Sequence, residues 1–280
     1  MGKIVGAFGV PHYPRFPLMA RENTPLASEI ERLYGEVAGH LRELEPDVLV
    51  IFSSDHFQTF VADIPIFSIG VAESTDGPCD QPDLPAYKVP VDYRLAQQMQ
   101  THAVKTGFDV GMHQEFALDH TFMVPYHFIA RDLGASIVPV FISGLLQPTP
   151  TAQRCFDLGA RLREAIETTP DDKRVAIVGS GSFSLDLGGI HEGASDGPFR
   201  FDGVTDSVWV DRVVSLLSEA KTSEILEEST DEQMGRAGNI GGELLNWIAM
   251  LGTFDAREPD FLERQGDLGH AYGAWKIDGR

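Results

Sequence analysis

Four short apolar runs without polar alternation recur along the chain. Such runs are typical of strands that a protein covers on both faces, because neither face then requires polar residues. The pattern therefore predicts buried strands in these segments: KIVGAFGV over 3–10, DVLVIFSS over 47–54, SIVPVFIS over 136–143 and VAIVGS over 175–180.

Helix-like segments lie between and after these runs. Strands that alternate with helices favour a three-layer α/β/α architecture with a central mixed sheet. No linker-like stretch divides the chain, so we expect a single domain over 1–280, with 257–280 as a C-terminal tail or lid. A Pro-rich and Gly-rich stretch over 76–90 is predicted to be a long surface loop. The predicted helices are 28–44, 91–107, 151–168, 206–220, 222–230 and 238–254.

The charge and the cysteine count narrow the class of ligand. The 280 residues carry a formal net charge of −20, which repels nucleic-acid backbones and anionic membrane surfaces. No apolar stretch is long enough to span a bilayer, and the first residues do not form a signal-peptide core. With only two cysteines, any metal would be held by histidines and carboxylates, and we expect a cytoplasmic protein.

Two histidines follow directly after predicted strands, His12 in GVPHYP and His56 in SSDHF. Carboxyl ends of parallel strands meet at one edge of a sheet, where ligands usually bind, so the two imidazoles can meet there. Glu243, at the start of an apolar helix, is a candidate third ligand for the 2-His-1-carboxylate arrangement of non-haem Fe(II). The alternatives are hydrogen-bonded loop histidines and a carboxylate that the helix dipole favours.

The segment EFALDHTFMVPYHF, over 115–128, places a carboxylate beside a histidine in apolar surroundings. Asp119 could orient His120 for acid-base catalysis, or His120 could be a core histidine that its neighbour satisfies. The chain has no GxxxxGK[ST] phosphate loop and no GxSxG nucleophile elbow. Nucleotide binding and serine hydrolysis therefore lose most of their support.

Several of these motifs occur together in one order: histidines after the first two strands, an LDH segment before VP, a glycine loop VGSGSFSL and a late GE…NW helix. Over about residues 3–254 this combination resembles the class III extradiol ring-cleavage dioxygenases, of the protocatechuate 4,5-dioxygenase large (beta) subunit type. The resemblance implies that His12, His56 and Glu243 bind Fe(II), and that His120 assists proton transfer and oxygen activation. It implies O2 and a small aromatic diol as substrates, such as protocatechuate or gallate, or an aminophenol or dihydroxypyridine analogue.

The glycine loop departs from this family at one position. The family's loop commonly ends in a histidine that is the main acid-base residue, and Leu185 stands there in this chain. Three explanations are open. Another residue takes over the proton chemistry, with His191 as our candidate and His113 or Tyr126 as further ones; or the substrate needs less help with its proton; or the chain is a non-catalytic or metal-dependent hydrolytic homologue.

The resemblance also bears on partners. Enzymes of the protocatechuate type pair a large subunit with a small helical one that covers the active site. We therefore expect a small helical subunit or a homo-oligomer, and neither nucleic acid nor a membrane as a partner.

Overall fold

The four apolar runs form the centre of an eight-stranded sheet in the computed structural model, which describes residues 1–188 and 203–277. The strands are β1 (Lys3–Val10), β2 (Val48–Ser53), β3 (Phe67–Gly70), β4 (Ser74–Gly77), β5 (Tyr87–Pro90), β6 (Gly111–His113), β7 (Ser136–Ile142), β8 (Arg174–Ser180), β9 (Phe261–Arg264) and β10 (Ala271–Lys276). β7, β2, β8 and β1 lie side by side and parallel. Nearly all of their residues are buried, which explains why these runs lack polar alternation.

The outer strands make the sheet mixed. β3 pairs antiparallel with β7 and carries β6 at one edge, whereas β10 pairs antiparallel with β1 and carries β9 at the other edge. The expected tail or lid over 257–280 therefore contributes two strands to the main sheet. The predicted surface loop over 76–90 is also partly regular, because β4 and β5 pair in a separate two-stranded sheet.

Helices cover both faces of the main sheet. They are α1 (Phe16–Met19), α2 (Pro25–Glu43), α3 (Tyr93–Lys105), α4 (His120–Pro125), α5 (Ala152–Glu167), α6 (Ser207–Ser218), α7 (Thr222–Glu228), α8 (Asp231–Arg236) and α9 (Leu244–Leu251), with a π-helix at Tyr126–Ala130 and a 3₁₀ turn at Gly241–Glu243. None of the helices within the described ranges is long and apolar enough to cross a bilayer.

Side chains of β2 show how the three layers form. Val50 and Phe52 belong to the apolar cluster under α3, α5 and α9, whereas Leu49 and Ile51 belong to the cluster under α2 and α4. Alternate residues of one strand thus enter two cores, as expected of a strand covered on both faces. The predicted three-layer α/β/α architecture with a mixed sheet is confirmed.

Candidate active site

The predicted metal-binding residues lie close together, His12 after β1, His56 after β2 and Glu243 at the end of the 3₁₀ turn before α9. Nε2 of His12 lies 2.9 Å from Oε1 of Glu243, and Nε2 of His56 lies 2.8 Å from the same oxygen. His12 and Glu243 are only 3% and 1% exposed. Ligand nitrogens of His12, His56 and His120 all lie within 4.8 Å of one another, a spacing that could hold a metal ion.

The glycine loop after β8 positions the carboxylate of Glu243. The backbone N–H of Ser182 donates to Oε2 of Glu243 over 2.8 Å. A Cβ atom at Gly181 would lie 2.7 Å from Cβ of Glu243, so only glycine allows this approach. Gly242, next to Glu243, meets a similar restriction, since a Cβ there would lie 1.9 Å from the carbonyl oxygen of Gly144. The loop therefore acts on Glu243 mainly through its backbone.

Ser180 determines which nitrogen of His12 carries a proton. Its hydroxyl donates to the carbonyl oxygen of Thr121 over 2.7 Å, and its oxygen lies 2.8 Å from Nδ1 of His12. A hydroxyl has a single hydrogen, so Ser180 must accept from the Nδ1–H of His12. In the neutral imidazole, Nε2 then has a free lone pair directed at Glu243.

Two acceptors facing each other at 2.9 Å require a positive charge between them. Burial lowers the pKa of His12, which opposes the doubly protonated ring that could otherwise donate to Glu243. A metal ion bound to both groups would satisfy their lone pairs without protonating His12. The donor set and its tautomer therefore fit a bound metal.

The surroundings of Glu243 favour its ionised form. Burial raises the pKa of Glu243, but the adjacent imidazoles of His12 and His56 outweigh that effect and hold the pKa well below its ordinary value. Burial likewise opposes protonation of His56, yet the hydrogen bond to Glu243 raises the pKa of His56 overall. Glu243 thus offers an anionic oxygen to a candidate metal in a buried site.

His120 lies beside this cluster at the first residue of α4. Its ring centroid is 4.8 Å from that of His56 and 5.8 Å from that of His12. Nε2 of His120 is buried and has no hydrogen-bond partner among the described residues. The imidazole therefore offers an unused nitrogen next to the candidate metal position.

The expected pairing of Asp119 with the His120 ring is wrong. Asp119 caps the N-terminus of α4, where its Oδ1 accepts from the backbone N–H and the hydroxyl of Thr121 over 3.1 and 2.6 Å. Its Oδ2 accepts from the backbone N–H of His56 over 3.0 Å. Asp119 thus binds the backbone N–H groups of His56 and Thr121. The imidazole of His120 contacts a different carboxylate.

That carboxylate is Asp80, which the sequence analysis missed. Oδ1 of Asp80 accepts from the backbone N–H of His120 over 2.8 Å, and Oδ2 contacts the ring Nδ1. The two residues are 40 positions apart. The only signal in the sequence is a carboxylate in the segment GPCDQPD, whose proline and glycine residues predict a surface loop.

The remaining proton-transfer candidates have separate environments. Leu185 is partly buried, its carbonyl oxygen accepts from the N–H of Ile240 over 3.0 Å, and its side chain approaches Gly203. His113 ends β6 and packs against Phe60, with ring centroids 4.4 Å apart. Tyr126, which starts the π-helix, packs against Tyr87. His191, our candidate replacement for the loop histidine, lies outside the described residues.

The sequence of the chain also matches a known family. Residues 6–272 match the family of the catalytic LigB subunit of aromatic ring-opening dioxygenase. The chain belongs to the LigB family. The expected enzyme class, a ring-cleavage dioxygenase, is thereby confirmed.

Individual relatives of this LigB-family chain are distant but cover most of it. A 2,3-dihydroxyphenylpropionate/2,3-dihydroxicinnamic acid 1,2-dioxygenase of Klebsiella pneumoniae subsp. pneumoniae is 26% identical over 288 residues, which cover 90% of this chain and 85% of the relative. An enzyme of the same name from Escherichia coli K12 is 24% identical over 295 residues, with 91% and 88% covered.

A solved structure supports the fold. An uncharacterized protein of Escherichia coli K12 superimposes with a TM-score of 0.59 at 16% sequence identity, covering 96% of this chain and 99% of that protein. At this identity the likeness concerns the architecture alone.

Proposed function

We propose that this chain is a non-haem Fe(II)-dependent extradiol dioxygenase that opens an aromatic ring next to two hydroxyl groups and incorporates both atoms of O2. One observation carries the proposal: the Glu243 oxygen faces two imidazole nitrogens at 2.9 and 2.8 Å, and the Ser180 hydrogen bond leaves one of them, on His12, unprotonated. His12, His56 and Glu243 would hold Fe(II) as a facial triad, which leaves neighbouring positions open. When bound, Fe(II) supplies the place where diol and O2 meet.

The chain's own residues orient the diol and move its protons. We assign to Nε2 of His120 the acceptance of a proton from a diol hydroxyl, and its later return to the product. This nitrogen is buried beside the triad without a partner among the residues described, and an imidazole nitrogen with a free lone pair can accept a proton. His191 remains our second catalytic candidate, in place of the loop histidine that Leu185 replaces.

The names of the relatives guide the choice of substrate. Both curated relatives act, by name, on 2,3-dihydroxyphenylpropionate and a dihydroxylated cinnamic acid. We infer a catechol of this kind as the first substrate to examine, with protocatechuate, gallate, an aminophenol and a dihydroxypyridine as the other candidates. A cytoplasmic location, and either a small helical subunit or a homo-oligomer, remain part of the proposal.

Oxygen uptake by the Fe(II)-loaded full chain tests this function. With each compound of that panel, an oxygen electrode and absorption spectra should record one O2 consumed per ring opened, with a coloured product. Removal of the metal by a chelator should abolish uptake, and Fe(II) should restore it. Uptake with none of the compounds would overturn the proposal, and turnover without O2 in the zinc-loaded chain would instead support a hydrolase.

A variant of the carboxylate ligand links this activity to the triad. Glu243→Gln removes the anionic oxygen, so we expect loss of both stoichiometric Fe(II) binding and oxygen uptake. Glu258→Gln, which changes an exposed carboxylate in the same way, should retain both. Full iron content in Glu243→Gln, measured after desalting, would show that the triad is misassigned.

A further inference from the structure

Both carboxylate oxygens of Asp80 are committed to one residue. Oδ1 accepts from the backbone N–H of His120 over 2.8 Å, while Oδ2 contacts Nδ1 of the same residue. The side chains are only 12% and 8% exposed, so water competes little for these contacts. This two-point attachment fixes the imidazole relative to the start of α4.

The chemistry of the two partners determines the tautomer of His120. Burial raises the pKa of Asp80, but its hydrogen bonds with His120 outweigh that effect and leave the pKa below its ordinary value. An ionised carboxylate can only accept hydrogen bonds, so Nδ1 of His120 must carry the hydrogen. In the neutral ring the lone pair is therefore on Nε2, the buried nitrogen that lacks a partner among the described residues.

The position of Asp80 does not depend on His120 alone. The N–H of Cys79 donates to the carbonyl oxygen of Leu118, and the N–H of Leu118 donates to the carbonyl oxygen of Asp76, each over 2.9 Å. On the other side, the amide of Gln81 donates to the carbonyl oxygen of Pro14. The segment around Asp80 is thus tied by backbone hydrogen bonds to the segment before α4, and by the side chain of Gln81 to the segment after β1.

We propose that Asp80 is a positioning residue that holds His120 as the Nδ1–H tautomer, with Nε2 turned towards the candidate metal ligands as a proton acceptor. The inference rests on the proposed function, because that function supplies the diol proton that His120 accepts. On proton transfer, the diol O–H bond breaks, an N–H bond forms at Nε2, and the positive charge on the ring is stabilised by the carboxylate of Asp80.

Asp80→Asn tests this inference because it reverses the direction of the hydrogen bond between residue 80 and Nδ1 of His120. Its oxygen can still accept from the backbone N–H of His120, and its NH₂ group then faces Nδ1, which favours the Nε2–H tautomer. We expect ¹⁵N spectra of the metal-free full chain to show His120 as Nδ1–H in the wild type and as Nε2–H in the variant. In the Fe(II)-loaded enzyme, kcat should fall by about 10²-fold or more, with KM changed by less than about 3-fold.

Asp76→Asn is the matched control, because it removes the same charge from an exposed position in the same segment. It should leave both tautomer and kcat unchanged. A double variant supplies the second control: in a His120→Gln background, Asp80→Asn should cause no further loss of kcat. Equal losses in Asp76→Asn and Asp80→Asn, or additive losses in the double variant, would overturn the inference.

The tautomer separates this inference from the proposed function. If His120 of the wild type carries its proton on Nε2, the role of Asp80 is overturned whatever the activity. If the wild type consumes no oxygen, the proposed dioxygenase function is overturned, and the tautomer of His120 still tests the role of Asp80. Should Asp80→Asn fail to fold, Asp80→Glu retains an ionised acceptor and must keep the Nδ1–H tautomer. An Nε2–H ring in Asp80→Glu would contradict the inference.

Discussion

Two segments flank the candidate metal position, and they contribute in different ways. The end of β8 and the loop after it, residues 180–188, supply a hydroxyl, a backbone N–H and a carbonyl group, which contact His12, Glu243 and Ile240. The segment at the start of α4, residues 118–121, supplies the imidazole of His120, whose Nε2 is unpartnered within the described ranges. The first segment orients the candidate metal ligands, whereas we assign proton transfer to the second.

This difference shows that an active-site position does not by itself reveal which task a loop performs. A glycine loop at the carboxyl end of a strand lets the backbone approach closely, as the contact of Gly181 with Glu243 illustrates. That approach needs no reactive side chain. A residue without a proton-carrying group, such as Leu185, can therefore stand in this loop while the backbone support of the carboxylate remains.

The largest effect should come from the segment at α4. His120→Gln removes the proposed proton acceptor, so we expect kcat to fall by about 10²- to 10⁴-fold. Stoichiometric Fe(II) binding should persist, because the triad is formed by other residues. Steady-state oxygen uptake and the iron content after desalting would measure both. Loss of iron would instead place His120 among the ligands and remove the contrast between the two segments.

An intermediate effect should come from the hydroxyl group of Ser180 at the end of β8. Ser180→Ala removes the acceptor that orients Nδ1 of His12, and we expect Fe(II) affinity to fall by about 10- to 100-fold. Ser53→Ala is a close control, because the Ser53 hydroxyl also donates to the carbonyl oxygen of Thr121, over 3.2 Å. The hydrogen bond to Nδ1 of His12, in contrast, is made by Ser180. Competition titrations with a chelator would compare the two, and equal affinities would contradict the assigned role of Ser180.

The smallest effect on turnover should come from Leu185. Leu185→Ala keeps the carbonyl that accepts from Ile240, so kcat should stay within about 3-fold of the wild type. The lost apolar contact of a partly buried side chain should lower the free energy of unfolding by about 1 kcal/mol. Oxygen uptake and urea denaturation would measure these quantities. A loss of kcat as large as that of His120→Gln would show that the side chain itself takes part in the reaction.

The sequence predicts the central fold because the pattern of β1, β2, β7 and β8 is local. Their burial on both faces is visible in each run as continuous apolar sequence. The outer strands carry no such pattern, and β9 and β10 exist through antiparallel pairing with each other and with β1, far away in the chain. The sequence of 257–280 alone therefore predicts only a tail or lid.

The same distinction applies to the site. His12 and His56 could be anticipated because each follows a recognisable strand. Asp119 was misread because adjacency in sequence suggested a contact, although a residue before a helix turns its carboxylate to the free backbone N–H groups. Asp80 could not be anticipated, since its contact with His120 depends on a hairpin that brings distant segments together.

The backbone anchoring of the glycine loop has a consequence for how this enzyme can diversify. Contacts made by main-chain atoms persist when a side chain is exchanged, and the bonds from Ser182 to Glu243 and from Ile240 to Leu185 are of this kind. The identity of residue 185 can therefore change without dismantling the support of the carboxylate. At this position the sequence is therefore free to vary while the carboxylate keeps its support.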